Sequence, residues 1–237
     1  KVDQRHKEVD SGLMFGTTLS VAVPDIDRTD LVVLMGANPL ESNGSLATAP
    51  DWPGRLAAVR DRGGRVVVID PRRTKTARAA DTHLAIRPGA DALLLAAVVT
   101  ELARTGRVDP GHAGEWTVGL DEAIASLAAF TPESVAVRSG VSPDEIRSLA
   151  AQLADAKSAV VYGRIGTTTQ RFGTLASWLV DLVNLCTGNL DRAGGAMFTK
   201  AAAGAANTRG TPGVGRGVRI GRFASRVRGL GETMGEL

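Results

Sequence analysis

The sequence holds a single cysteine, Cys186, so no disulfide can form within it and nothing points to an oxidising compartment. Its three histidines, His6, His83 and His112, lie far apart without metal-ligand spacing. A zinc or iron–sulfur site ligated from within these 237 residues is not expected. No apolar run approaches the roughly 18 residues of a membrane span, and no basic-plus-apolar leader opens the chain. On that basis a cytoplasmic location is expected. The chain starts at Lys1, not Met, and stops in mid-pattern at Gly235-Glu236-Leu237. Both ends read as cut edges of a longer protein, although a short gene product or a cleaved one would look the same. There is no internal repeat.

Charge is unevenly spread. The formal net charge is +3, yet residues 201–237 alone carry six arginines against two glutamates, leaving residues 1–200 at −1. This Gly/Arg-rich extension lacks the apolar periodicity that would let it bury itself. It could bind an anionic partner, but Phe223 is its only aromatic and the base-stacking platform is thin. A linker or inter-domain segment is the expectation there, and nucleic acid is not an expected partner.

What is present is a pair of short, β-branched, almost unbroken apolar runs. Leu31-Val32-Val33-Leu34-Met35 ends in Gly36-Ala37-Asn38-Pro39, and Arg65-Val66-Val67-Val68-Ile69 ends in Asp70-Pro71-Arg72-Arg73. Strands buried on both faces read this way, and parallel sheets are their usual setting. Helix formers over 53–62 stop at Gly63-Gly64, so strand, helix and strand fill about 40 residues, the length of a right-handed βαβ unit. Further strands are expected over 83–86 and 159–163, and helices over 74–80, 92–104, 121–130, 143–156 and 174–186. Asp91 is placed to cap the third of these six helices, and Ser142 with Glu145 forms a capping box on the fifth. The expected fold class is α/β, a Rossmann-like parallel sheet with helices on both faces. Residues 1–30 read as a lead-in from a preceding domain, 31–200 as the Rossmann-like domain, and 201–237 as the Gly/Arg-rich C-terminal extension.

Open α/β sheets bind ligands outside the carboxyl ends of their strands, which singles out four exits. Gly36, Asn38, Pro39 and Ser42 offer close backbone approach and donors for phosphate or ribose. The stretch is not a Gly-x-Gly-x-x-Gly fingerprint and is equally readable as a connecting loop of turn formers. Asp70 can accept from ribose hydroxyls while Arg72 and Arg73 suit phosphate; a helix cap with two solvated arginines is the plainer account. Asp91 is most simply a cap, with purine-edge pairing the alternative. Arg164, Gly166 and Gln170 lie in the last exit loop. Cys186, in an apolar helix without a nearby histidine, reads as a buried structural thiol.

Taken together, these segments resemble the molybdopterin oxidoreductase superfamily, the bis-molybdopterin-guanine-dinucleotide enzymes that include formate dehydrogenases and nitrate reductases. The resemblance rests on Gly36-Ala37-Asn38-Pro39, Ile69-Asp70-Pro71-Arg72-Arg73-Thr74, Arg87-Pro88-Gly89-Ala90-Asp91, residues 166–170, and Leu185-Cys186-Thr187-Gly188-Asn189-Leu190 with Gly194-Gly195. It covers roughly residues 1–200 and is nearest to formate-dehydrogenase-like catalytic subunits. It implies that residues 36–42 hold the pyrophosphate and guanosine of one pterin cofactor, with Ile69, Asp70, Arg72 and Gly89 in the same site. Asp70 would contact the ribose, Asp91 the guanine, and Arg164, Gly166 and Gln170 the pterin side. It further implies a molybdenum or tungsten cofactor, a four-iron four-sulfur cluster ahead of Lys1, further domains of a parent subunit, and an iron–sulfur electron-transfer subunit. The chain would bind and orient part of the cofactor and perform no redox turnover alone. The rivals are a stand-alone nucleotide-binding module, a nitrate-reductase-type parent, and an anion-binding adaptor run by the arginine tail.

Overall fold

The computed structural model describes residues 2–16, 18 and 20–199. The Gly/Arg-rich extension, and every expectation placed on it, lies outside the described residues.

The central sheet has four strands, β2 (Leu31–Met35), β3 (Arg65–Ile69), β4 (Thr82–Leu84) and β5 (Ala159–Gly163), all parallel in the order β4-β3-β2-β5. Every residue of β2 is buried. Because successive side chains point to opposite faces, both faces of the sheet are covered there. The expected strands over 31–35 and 159–163 are present, the one expected over 65–70 ends at Ile69, and the one expected over 83–86 runs instead from Thr82 to Leu84. Beyond it Ile86 N–H turns back to the Leu84 carbonyl, closing a turn rather than extending a ladder.

Between the strands lie α2 (Pro39–Ser42), α3 (Trp52–Asp61), α4 (Lys75–Arg78), α5 (Asp91–Arg104), α6 (Leu120–Ser126), α7 (Pro132–Ser139) and α8 (Pro143–Asp155). The single turn α9 (Ile165–Thr168) and the long α10 (Gly173–Cys186) follow β5. Helix α10 packs on β5 and α5, α3 packs on β3, and α7 and α8 cover α5. The capping box on α8 is formed: Ser142 Oγ accepts from Glu145 N–H while Glu145 Oε2 accepts from Ser142 N–H. The helix expected over 121–130 stops at Ser126, because Leu127 and Ala128 bond three residues back and Thr131 caps a separate helix, α7.

Three elements outside the central sheet gave no recognisable sequence signal. Residues in the lead-in form α1 (Val2–Phe15), packed along α10, and β1 (Ala22–Pro24) pairs antiparallel with β6 (Ala196–Phe198). Helix α1 meets α10 partly through a buried ionic cluster: Lys7 Nζ donates to Asp10 Oδ2 at 3.1 Å and to Asp181 Oδ2, and Ser177 Oγ donates to Asp10 Oδ2 at 2.9 Å. Burial opposes charge on Lys7, but Asp181 and Asp10 outweigh it and hold its pKa above the usual lysine value. Burial, with the Asp181 charge adding to it against Lys7, pushes Asp10 up to about 7.

At the sheet edge, β5 has no neighbouring strand on its outer side among the described residues. Side chains replace one. Asn184 accepts from Val161 N–H and donates to Val161 O, both at 2.9 Å, and Asn189 accepts from Ala159 N–H at 3.0 Å. Both asparagines are buried, so the edge is closed without exposing a ladder. Cys186 is fully buried and burial pushes its thiol up to about 12, in keeping with a structural residue.

Candidate functional site

Chain order and sheet order together locate a crevice. From β2 the chain steps outward through β3 to β4, then returns through α5, α6, α7 and α8 to place β5 on the other side of β2. That reversal is a topological switch point, the place where open α/β sheets admit ligands. The loops leaving β2 and β5 flank it at equal register, since Met35 pairs with Gly163.

These two loops touch through backbone. Gly166 N–H donates to Gly36 O at 3.0 Å, Arg164 N–H to Met35 O at 3.1 Å, and Thr167 Oγ1 to Met35 O at 3.0 Å. Gly36 has φ +54, and a Cβ there would come within 2.4 Å of Thr167 N. Glycine is required at that point by both conformation and space.

The remaining exit residues divide by what already engages them. Asn38, half-buried, accepts through Oδ1 from the buried Thr76 hydroxyl, and its amide NH2 donates to nothing among the described residues. Pro39 is buried at the first position of α2, and the exposed Ser42 hydroxyl returns to Asn38 O at 3.2 Å. The Ile69 side chain belongs to the core at 1% exposure, and its carbonyl accepts from Gly36 N–H, so it meets the site through backbone alone. Asp70 accepts from Arg72 N–H at 2.8 Å, a local turn that leaves the Arg72 side chain exposed. Gly89, exposed at φ +84, turns the chain into α5 beside Gln170.

Asp91 corrects its expected capping role. Ala90 occupies the N-cap and Asp91 is the first helical residue of α5; no side chain caps this helix. Its carboxylate instead accepts from Gln170 Nε2 at 2.7 Å. Gln170 also donates to Thr167 O at 2.7 Å, so Asp91 is tied to the loop after β5 while it also accepts from its own backbone N–H. Burial raises the Asp91 pKa, opposed by hydrogen bonds from Gln170 and Thr167 and reinforced by the charge of Asp70. The structure therefore draws Asp70, Asp91, Gly89, Gln170, Gly166 and Gly36 to one edge.

Arg164 is the most unusual member. It is 6% exposed, no carboxylate forms an ion pair with it among the described residues, and its Nε is buried without a partner. Its Nη2 donates to the hydroxyl of Ser45 at 2.7 Å. Tyr162 fixes the same turn by donating to Gly44 O at 2.8 Å and accepting from Ala47 N–H at 3.2 Å. Tyr162 and Thr76 were not singled out from the sequence, while Ser45 and Thr167 lie in exit loops that were, without a role of their own. Only Tyr162, a hydroxyl at the end of an otherwise apolar strand, carried a signal that could have found it.

Elsewhere, an apolar groove of about 1030 Å³ runs past Leu13, Trp116, Val118, Trp178 and Phe198; none of the exit-loop residues lines it. Among the described residues, no cluster of three or more His, Cys, Asp or Glu could hold a metal ion, and no helix is long and apolar enough to cross a membrane.

Residues 3–227 match the profile of the molybdopterin oxidoreductase family. Formate dehydrogenase H of Escherichia coli is 33% identical over 187 residues, which is 79% of this chain and 25% of that protein. The assimilatory nitrate reductase of Haloferax mediterranei is 34% identical over 189 residues, 79% of this chain and 24% of that one. Acetylene hydratase from Pelobacter acetylenicus shares the fold with a TM-score of 0.67 at 23% identity, over 78% of this chain and 24% of its own. The chain thus spans about a quarter of the length of the relatives it matches.

Proposed function

The chain belongs to the molybdopterin oxidoreductase family, and from that premise we propose that residues 31–200 bind and orient one guanine-dinucleotide arm of a bis-molybdopterin cofactor in a formate-dehydrogenase-like parent subunit. When bound, the cofactor supplies two-electron redox chemistry at its metal, with electrons leaving through iron–sulfur clusters outside these residues. The parent's other domains and an electron-transfer subunit are the partners this reading calls for.

One observation carries the proposal: the two loops at the switch point meet at glycine, and the polar groups left there suit a polyanionic nucleotide. Gly36 admits backbone where a Cβ would collide. Arg164 presents a buried donor without a partner. Asn38 retains its NH2, and Asp70 and Asp91 present carboxylates on neighbouring exits. In this reading the Asp70 carboxylate accepts from ribose hydroxyls and Asp91 accepts from the N–H edge of guanine. Gly36, Asn38, Pro39 and Ser42 hold the pyrophosphate, with Ile69 and Gly89 contributing backbone and Arg72 its charge. Gly166 and Gln170 face the pterin side.

Formate and nitrate are each named for several relatives; the formate reading is preferred here on the sequence resemblance, with a nitrate-reductase-type parent as the alternative. The test is calorimetric titration of the chain with GDP, a probe for the guanine-nucleotide arm, comparing wild type with Asp70→Ala. Loss of the ribose acceptor is expected to weaken binding roughly tenfold or more, as for a hydrogen bond to a charged group, without lowering the unfolding midpoint. Unchanged affinity overturns the assignment.

A further inference from the structure

We propose that Arg164 is a gated anion receptor at the switch point, covered by Ser45 in this structure and taking a phosphate-type oxyanion when the Ser45 turn moves aside. The inference rests on the functional reading above and adds a residue pair and a gating step to it.

A guanidinium removed from water is costly unless charge and hydrogen bonds compensate it. The buried lysine among the described residues, Lys7, meets that requirement with two carboxylates. Arg164 has none among the described residues and is just as buried. Its Nε and Nη2 lie along one edge of the guanidinium fork, the edge that grips an oxyanion with two parallel bonds. Here one of those donors is orphaned and the other rests on a neutral hydroxyl. The edge is therefore half-used, by an acceptor weaker than an anion.

The turn that brings Ser45 there is under backbone tension. Asn43, Gly44 and Ser45 all have positive φ, at 53, 87 and 58°, and two of them are not glycine. Such conformations persist only where surrounding contacts hold them. Ser45 is exposed, whereas the flanking backbone is fastened by the Tyr162 hydroxyl to Gly44 and Ala47. Ser45 can swing while Tyr162 keeps the turn attached. Motion is needed, because the small cavity of about 10 Å³ beside Arg164, walled in part by Leu46 of the same turn, has room for no more than a water.

The oxyanion proposed is a nucleotide's phosphate, and a small carboxylate is the occupant the test must exclude. The experiment titrates the 237-residue chain with inorganic pyrophosphate, then repeats the titration in the presence of GDP or of formate. Wild type is expected to bind pyrophosphate saturably. Arg164→Gln should lose at least tenfold in affinity, Arg164→Lys a part of it, and Ser45→Ala should bind as tightly as wild type or a few-fold tighter, since the competing acceptor is gone. Competition by GDP supports the inference with nucleotide phosphates as the source; competition by formate and not by GDP overturns it, since the occupant would then be a carboxylate. In wild type, the Nε–H resonance of Arg164 should shift on adding pyrophosphate, a readout that needs no variant to fold. Absent pyrophosphate binding, equal binding by Arg164→Gln, an unmoved Nε–H resonance, or a loss in Ser45→Ala as large as in Arg164→Gln overturns the inference. If GDP binding depends on Asp70 but not on Arg164, only this inference falls. If GDP binding ignores Asp70, the functional reading falls, while pyrophosphate binding still judges Arg164.

Discussion

The Gln170 side-chain amide donates to the Asp91 carboxylate at 2.7 Å, joining residues 79 apart and tying the start of α5 to the loop after β5. Asp91 is buried, and burial holds its pKa above the usual aspartate value. A carboxyl group that binds its proton more tightly folded than unfolded favours the native state most at low pH, and that contribution is lost as pH rises from the unfolded value upward. Asp91→Asn keeps an acceptor for Gln170 and removes the buried charge. The variant should therefore match wild type below the ordinary aspartate range and be more stable at pH 7, measured by urea unfolding. In the same protein GDP affinity should fall roughly ten- to a hundredfold, the range for losing a hydrogen bond to a charged group. A variant that loses stability at pH 7 would mean that the charge, not the acceptor, holds the two loops together.

The Gly36–Gly166 contact makes a second expectation sharp. Gly36→Ala places a Cβ 2.4 Å from Thr167 N at φ +54, and Gly166→Ala places one 2.8 Å from Gly36 Cα. Gly63→Ala is the control, because Gly63 shares a positive φ of 84° but a Cβ there meets nothing within 4 Å. The control should cost about 1 kcal/mol from backbone strain alone. Gly36→Ala should cost roughly 2–3 kcal/mol or more, since the Thr167 backbone must also move. Equal losses in the two variants would show that the loops separate freely.

The cluster between α1 and α10 gives a third expectation. Asp10 is pushed up to about 7, first by burial and then by the neighbouring charge of Asp181. Its share of stability is complete below the ordinary carboxylate range and is lost between about pH 4 and 7, at no more than about 1.4 kcal/mol per pH unit for one proton. Lys7 follows the same sign at higher pH: its raised pKa favours the fold below the unfolded lysine value, and that contribution is lost as pH climbs past it. Asp10→Asn should flatten the pH 4–7 slope of unfolding free energy and leave Lys7 paired with Asp181. Lys7→Met should cost about 3–5 kcal/mol by stranding buried carboxylates. Persistence of the slope in Asp10→Asn would assign it to another group.

The sequence by itself determined the sheet and its chemistry-bearing edge. Residues 31–35, 66–69 and 159–163 are largely apolar on both alternating faces, and only a strand covered on two sides buries such a run, so these strands were legible before any fold was known. Local signals were equally plain: Ser142 and Glu145 fix the start of α8 through bonds that span three residues. Tertiary structure decided what depends on partners distant in the chain. Helix α1 has no strongly apolar stripe, and its burial rests on Lys7 meeting Asp181, 174 residues away. Asp91 looked like a cap because caps are local; Gln170 claimed it because the return of β5 beside β2 brought the last exit loop over the start of α5. Arg164 read as one polar residue of a loop. Its burial and its half-used guanidinium edge arise only where two loops close over the switch point, and no pattern within either loop encodes that meeting.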